Sequence, residues 1–391
     1  MDNLTHSLFA VTLARTPLSR AGRGTTAALI LASNAPDIDI VATAGGAVKY
    51  LEWHRGMTHG VLGIVGLGLV TAGVVWAGRR IHDQRWPPVG RGLLDPRERV
   101  DPPGRLATGG HAEHDASFGM LVAVSMIGVL LHVLMDLPTT YGTRVLSPFD
   151  WHWFAVDWMP ILDVYLLMAL VIGLLGRPTP SQRRAKAAFV LLLMATNYGV
   201  RAVAHHQALE VAPRLFGPTL PLPCDPPAAS APLVDSWPRP AAPANPPPGK
   251  RCLVEMVAMP SFTSPFTWRI IAQMSNAYEI HDIDLLDQRY REPESNSDIP
   301  WRLTLRYPNV WTPAVKQAAT THLGQVFLGF SRFPAARNAV DSHGVTTVRW
   351  TDMRFAGGPF ALDQPAPRTN VFTATVRIGA DGRVLDEGLG R

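Results

Sequence analysis

Residues 116–136 read ASFGMLVAVSMIGVLLHVLMD, and they decide the fold. Residues 116–135 carry no Asp, Glu, Lys or Arg. A helix needs about 20 such residues to cross the hydrocarbon core of a bilayer. The run closes on His132 and Asp136, spaced i, i+4, so both lie on one helix face. Two such side chains one turn apart suit a shared metal ion. The bland reading is a helix-end histidine followed by a capping aspartate. Ionisable groups at the end of a membrane span are costly and usually functional, which weighs against it.

Working outward, residues 60–78 (GVLGIVGLGLVTAGVVWAG) are also uncharged and of near-spanning length. Residues 161–176 and 185–204 predict a third and a fourth span, with Asp163 starting one and Arg201 near the end of the other. Residues 3–14 and 25–35 are apolar but too short to cross upright. They predict a re-entrant or tilted hairpin, or an interfacial pair. The composition agrees: the 391 residues are 47% hydrophobic and only 17% charged, where soluble domains carry about 25%. No cleavable signal peptide is read, because MDNLTHSLFAVTLAR lacks a basic n-region.

The net charge of +5 comes mainly from arginine. Arg15, Arg20 and Arg23 join the two short helices. Arg79, Arg80, Arg85, Arg91, Arg97, Arg99 and Arg105 follow the first long span. Arg177, Arg183, Arg184 and Lys186 precede the fourth. This is a topology signal of the positive-inside kind, so no nucleic-acid binding is expected. The opposite helix ends carry Asp37, Asp39, His54, His59, His132, Asp136, Asp150 and Asp163. They therefore share one face, predicted to be extracytoplasmic.

Residues 1–205 thus make a mainly α, multi-pass membrane domain. Residues 206–249 are Pro/Ala-rich (PLPCDPPAASAP, PRPAAPANPPPG) and predict an extended linker without a packed core. Residues 250–391 predict a small α+β domain on the same outer side. LTLRY, GVTTVRWTDMRF and NVFTATVRI alternate as strands do, 312–330 predicts a helix, and ADGR at 380–383 a hairpin turn. The two cysteines, Cys224 and Cys252, form no CxxC motif; an oxidising compartment would let them pair.

Chemistry-bearing residues gather in the first domain. In His54-Arg55-Gly56-Met57-Thr58-His59 the histidines are five apart, which suits a turn. One is read as a metal ligand and the other as its support or a proton carrier. Arg55 suits an anionic oxygen such as a phosphate. The alternative is a solvated interfacial loop. In Asn34-Ala35-Pro36-Asp37-Ile38-Asp39 the proline breaks a helix and two carboxylates follow; the alternative is capping. His6, after Thr5, is by itself a core histidine and gains weight only from its end of the helix. Tyr141-Gly142-Thr143-Arg144, Pro148-Phe149-Asp150 and Asp163 shape the same face. His111 and His114 fall on the basic side, and His205 and His206 carry no assigned role. No GxSxG, Walker A, GxGxxG in a βαβ setting or HExxH motif is present.

Taken in order, Thr5-His6, Pro36-Asp37-Ile38-Asp39, His54-Arg55-Gly56-x-Thr58-His59, His132-x-x-x-Asp136 and Tyr141-Gly142-Thr143 resemble the inner-membrane metal-dependent hydrolase family typified by YdjM. Pro265-Phe266-x-Trp268-Arg269 and Trp350-x-Asp352-x-Arg354-Phe355 add weaker matches. The order His, Asp, His, HxxxD is also similar to the zinc-dependent phospholipase C and P1 nuclease group. That similarity implies His6, Asp37, His59, His132 and Asp136 as metal ligands, with Asp39 and His54 next; in a hydrolase, His54, Arg55 and Asp39 are the residues read as catalytic. The long loop 79–115 and the linker depart from the pattern. So does the absence of later histidines and a glutamate that complete a three-zinc cluster, which favours a mono- or dinuclear site.

The resemblance implies a bacterial inner-membrane hydrolase that activates water on zinc, with manganese or iron as alternatives, and acts on a phosphoester or lipid-linked substrate. The rivals are a metal transporter, which needs ligands spread through the membrane, and a structural protein stapled by its metal.

Overall fold

The computed structural model describes residues 1–86, 114–176, 179–216, 223–224, 233–238, 252–287, 305–356 and 372–390. Arg91, Arg97, Arg99, Arg105, His111 and Arg177 lie outside these, so their part in the charge pattern is a matter of sequence.

The membrane domain is built from α1 (Asn3–Leu13), α2 (Thr25–Ala32), a 3-10 segment (Ala35–Gly45), α3 (Ala47–Trp53), α4 (Val61–Arg85), α5 (Phe118–Asp136), a short strand β1 (Trp153–Ala155), α6 (Val164–Leu174) and α7 (Pro180–Val211). Local chemistry sets the helix starts. Asp2 caps α1 through the Thr5 amide, Ser117 caps α5 through the Met120 amide, and Thr179 with Gln182 forms a capping box ahead of Pro180 on α7. α5 packs between α2 and α4. Glycines let the backbones close: a Cβ at Gly128 would stand 2.8 Å from Ala32, and one at Gly68 would stand 2.6 Å from Met126.

α4, α5 and α7 are long and apolar enough to cross a membrane. α2 and the 3-10 segment make a fourth apolar unit, bent by 42° at its break; the bent pair is thus 25–45 and not the expected hairpin of 3–14 with 25–35. The span expected over 161–176 is shorter in the structure. Asp163 caps the Leu166 amide, so helix begins only at Val164, and it stops at Leu174 before Gly176 at φ +83°. Eleven residues rise about 16 Å, half a bilayer core.

One end of the bundle is basic and the other is not. Arg15 donates to the carbonyls of Gly173 and Leu174, and Lys186 to that of Leu175. Arg23 pairs with Asp83 and Asp115, and Arg79 donates to the Arg23 and Ala116 carbonyls. These contacts bring the loop after α1 and the ends of α4, α5, α6 and α7 together at one end.

The linker expectation is corrected in two places. α7 runs on to Val211, and Ala204 and Ala208 on its last turns are buried with Ala258, Trp268 and Ile270 of the C-terminal domain. Asp235–Trp237 forms β2, antiparallel to β1, with Trp237 stacked on Trp153 at 6.1 Å. A buried tryptophan anchors three residues that the surrounding prolines and alanines hide. Most of the remaining linker lies outside the described residues.

The C-terminal domain has two antiparallel four-stranded meanders. β3 (Leu253–Pro260), β4 (Thr267–Met274), β5 (Ala277–Asp284) and β6 (Leu305–Pro308) form the first. After α8 (Pro313–Ala318) and α9 (His322–Phe330), β7 (Pro334–Val340), β8 (Thr346–Asp352), β9 (Thr373–Ile378) and β10 (Val384–Leu389) form the second. The expected single helix over 312–330 is two, because Thr321 caps α9 through the Gly324 amide. The expected turn at 380–383 joins β9 to β10, with Gly382 at φ +80°.

Cys224 and Cys252 form a disulfide across a sequence separation of 28. Closing a loop of that length is worth about 3 to 4 kcal/mol in the chain-entropy account. Reduction, or Cys224→Ser, is expected to lower the domain's stability by that order in a thermal melt with and without dithiothreitol. An unchanged melt would remove the bond from the stability account.

Candidate metal centre

Every candidate ligand sits where a helix begins or ends at the non-basic end. His132 and Asp136 end α5. His59 lies just before α4. Asp37 follows Pro36 in the 3-10 segment. Runs of 3-10 helix this long are uncommon and often mark function. Asp37, His59, His132 and Asp136 each offer one ligand atom, and the four atoms lie within 4.8 Å of one another. His59 Nε2 is 3.7 Å from Asp37 Oδ1 and 3.5 Å from Asp136 Oδ2. His132 Nε2 is 3.6 Å from Asp37 Oδ1, 3.4 Å from Asp136 Oδ2 and 3.3 Å from His59 Nε2. Tetrahedral zinc with bonds of ~2.0–2.2 Å holds its ligand atoms ~3.3–3.6 Å apart. The residues present therefore fit a divalent ion.

The surroundings point the same way. His132 Nδ1 donates to the Ser33 carbonyl at 2.8 Å, which leaves Nε2 free to ligate. His59 Nδ1 is 3.0 Å from Thr58 Oγ1 and 3.9 Å from Asp39 Oδ2. Both ring nitrogens of His6 and the Oδ2 of Asp136 are buried without a hydrogen bond. Burial disfavours a charged His59, but the facing Asp136 and Asp37 carboxylates outweigh that and raise its pKa. The carboxylates thus draw positive charge into a buried place.

His6 stands beside the four rather than among them. Its Nε2 is 3.4 Å from Asp136 Oδ1, and its ring stacks on His132 at 3.9 Å between centroids. The α-amino group of Met1 also pairs with Asp136. Arg55 reaches Asp136 Oδ2 at 3.1 Å, donates to the Gly142 carbonyl at 2.9 Å and lies over the Tyr141 ring. Asp39 accepts from the Arg55 amide at 2.7 Å and from His54 Nδ1 at 3.2 Å. It thereby holds Arg55 at a left-handed φ of 49°. His54 Nε2 faces the Tyr50 hydroxyl at 3.4 Å, and burial lowers the His54 pKa against the pull of Asp39.

All eight residues singled out by sequence thus lie in one connected patch, with four of them in the cage. Asp163 instead pairs with Arg201 at 2.5 Å, and Asp150 with His152 at 2.5 Å. Two participants had no local sequence signal, the Ser33 carbonyl and the Tyr50 hydroxyl; the C-terminal domain was marked by Trp350-x-Asp352-x-Arg354-Phe355, but its contact with the site was not. Arg354, held by Asp352, donates to the Thr140 and Tyr141 carbonyls. Tyr141 packs on Phe330, Phe355 and Phe372. Gly142, at φ +83°, leaves 2.3 Å between an added Cβ and Trp237, so only glycine fits that turn.

A multi-helix membrane protein with a buried His/Asp cluster at one end of its bundle is the class these features define. A model of the YdjM inner membrane protein family matches residues 1–208, and the chain belongs to that family. It is also similar to the uncharacterized protein YfhP of Bacillus subtilis (strain 168), 22% identical over 142 residues. That stretch is 36% of this chain and 33% of the relative, so the chain spans about a third of the length of the curated relative it matches. No solved structure matches.

Proposed function

We propose that the chain is a membrane-bound, metal-dependent hydrolase acting on a phosphoester, with lipid-linked phosphoesters the favoured class. The observation that carries this is the cage itself, four donors within 4.8 Å of one another with Arg55 in contact with one of them. The two nitrogens and two oxygens suit zinc, with manganese or iron next. A bound ion supplies Lewis acidity, acidifying water and polarising a phosphoryl oxygen. Asp37 is the side chain of the four with solvent exposure, 17% against 0% for the others, so access lies on its side. Arg55 is placed to hold an anionic oxygen as charge develops. His54, oriented by Asp39 and Tyr50, is placed beside the centre as a proton carrier. The phospholipase C and P1 nuclease likeness supports the same chemistry by analogy of motif order alone.

The reading places the centre and the C-terminal domain outside the cytoplasm. The arginine-rich opposite end and the disulfide support this.

A structural staple is the second reading. Four protein donors drawn from three segments can close a tetrahedron and leave no room for water. Chelation separates the two. An enzyme stripped of metal keeps its helical circular dichroism and loses phosphate release from lipid phosphoesters. A staple unfolds on chelation and releases none when fully loaded, and that pair of results would overturn the hydrolase reading.

A further inference from the structure

Five arginines are buried among the described residues: Arg55, Arg144, Arg201, Arg332 and Arg354. Four of them have a carboxylate. Arg55 meets Asp136, Arg201 meets Asp163, Arg332 meets Asp157 and Asp235, and Arg354 meets Asp352. Arg144 has none among the described residues. It is 8% exposed, its Nε is buried without a partner, and one terminal nitrogen donates to the Glu52 carbonyl at 2.8 Å. The Glu52 carboxylate is taken by Lys49 at 3.0 Å. Burial pulls the Arg144 pKa down to about 10, against the weaker pull of Tyr141 and the Glu52 carboxylate, and no carboxylate among the described residues pairs with it directly. A buried cation without its anion is costly to keep.

The setting says what kind of anion fits. The Arg144 amide donates to the Arg55 carbonyl, which puts it on the loop beside the metal centre. Its guanidinium lies over Trp153 at 4.5 Å and Trp151 at 5.5 Å. Trp151 is 48% exposed, Phe149 79% and Trp53 55%, and Met57 and Val61 at the head of α4 are exposed as well. Exposed tryptophans at the end of a spanning helix belong at the headgroup level of a bilayer. A guanidinium presents a planar fork that matches phosphate oxygens. The anion at this level is the one the membrane carries.

We propose that Arg144 and Trp151 form a binding site for the phosphate of an anionic membrane phospholipid, beside the metal centre. The site does not depend on hydrolysis, and its occupant need not be the molecule cleaved.

The test is retention of phosphatidylglycerol by the purified, metal-loaded full chain, read by native mass spectrometry and by tryptophan quenching with brominated phosphatidylglycerol. Arg144→Gln is expected to weaken retention about tenfold or more, as loss of charge-assisted bonds requires. Arg144→Lys should restore only part of it, because it lacks the fork. Metal content should not change in either. Wild-type retention in a folded Arg144→Gln protein would overturn the proposal. If that variant fails to fold, Trp151→Ala decides, with several-fold weaker retention expected and no change overturning. Full displacement of the lipid by millimolar inorganic phosphate would show a site for free phosphate and overturn the lipid assignment.

Discussion

Asp136→Ala protein is expected to purify with less than about a tenth of the wild-type metal, measured by inductively coupled plasma mass spectrometry. Asp136 is fully buried and faces His6, His59, His132 and Arg55 within 3.1 to 3.5 Å. Removing its carboxylate takes away one donor of the cage and the anion that neutralises Arg55. Breaking a buried ion pair from one side costs about 3–5 kcal/mol, so the variant should also melt earlier. Asp136→Asn keeps the shape and tests the charge alone. His59→Ala removes a ligand without disturbing Arg55 and should lose metal with a smaller loss of stability. Because ligand imidazoles must be neutral, metal retention in the wild type should fall as pH drops through the histidine range. Unchanged metal in both alanine variants would sink the cage as described.

The second large effect is expected at Arg354, far from the cage in sequence. Its guanidinium takes both Asp352 oxygens and the carbonyls of Phe330, Thr140 and Tyr141. Arg354→Ala leaves Asp352 buried and unpaired, a loss of about 3–5 kcal/mol. That should lower the unfolding temperature by at least about 5 °C. Lysine should not rescue it, since the fork is lost. Metal content should survive, because Arg354 touches none of the four ligands. A melt unchanged from wild type would mean that the domain's seat on the 140–142 loop is incidental.

Much of this was legible in the sequence. An i, i+4 His/Asp pair at the end of an uncharged run has few innocent uses in a membrane, and the arginine loops put His59 and Asp37 at the same end. The parts that escaped share a physical cause. Ser33 acts through its carbonyl, which every residue has. Arg354 meets Tyr141 across 213 residues, and no local pattern reports a contact that distant. The stretch 161–176 overstated its helix because hydropathy ignores what Asp163 does as a cap. The linker hid β2 because composition averages over a window, while one tryptophan can anchor three residues. The helix at 312–330 broke because Thr321 offers its hydroxyl to the backbone.

α7 carries one more consequence. It crosses the bundle and then enters the core of the C-terminal domain without a break, so the two parts share a rod and not a hinge. On such a rod the angular setting of the domain is counted in residues. Adding one residue between Arg201 and Ala208 would swing everything beyond it by ~100°. Arg354 would then face away from the loop it clamps, although no contacting residue had been altered. Helical phase, as much as any side chain, determines what sits above the cluster.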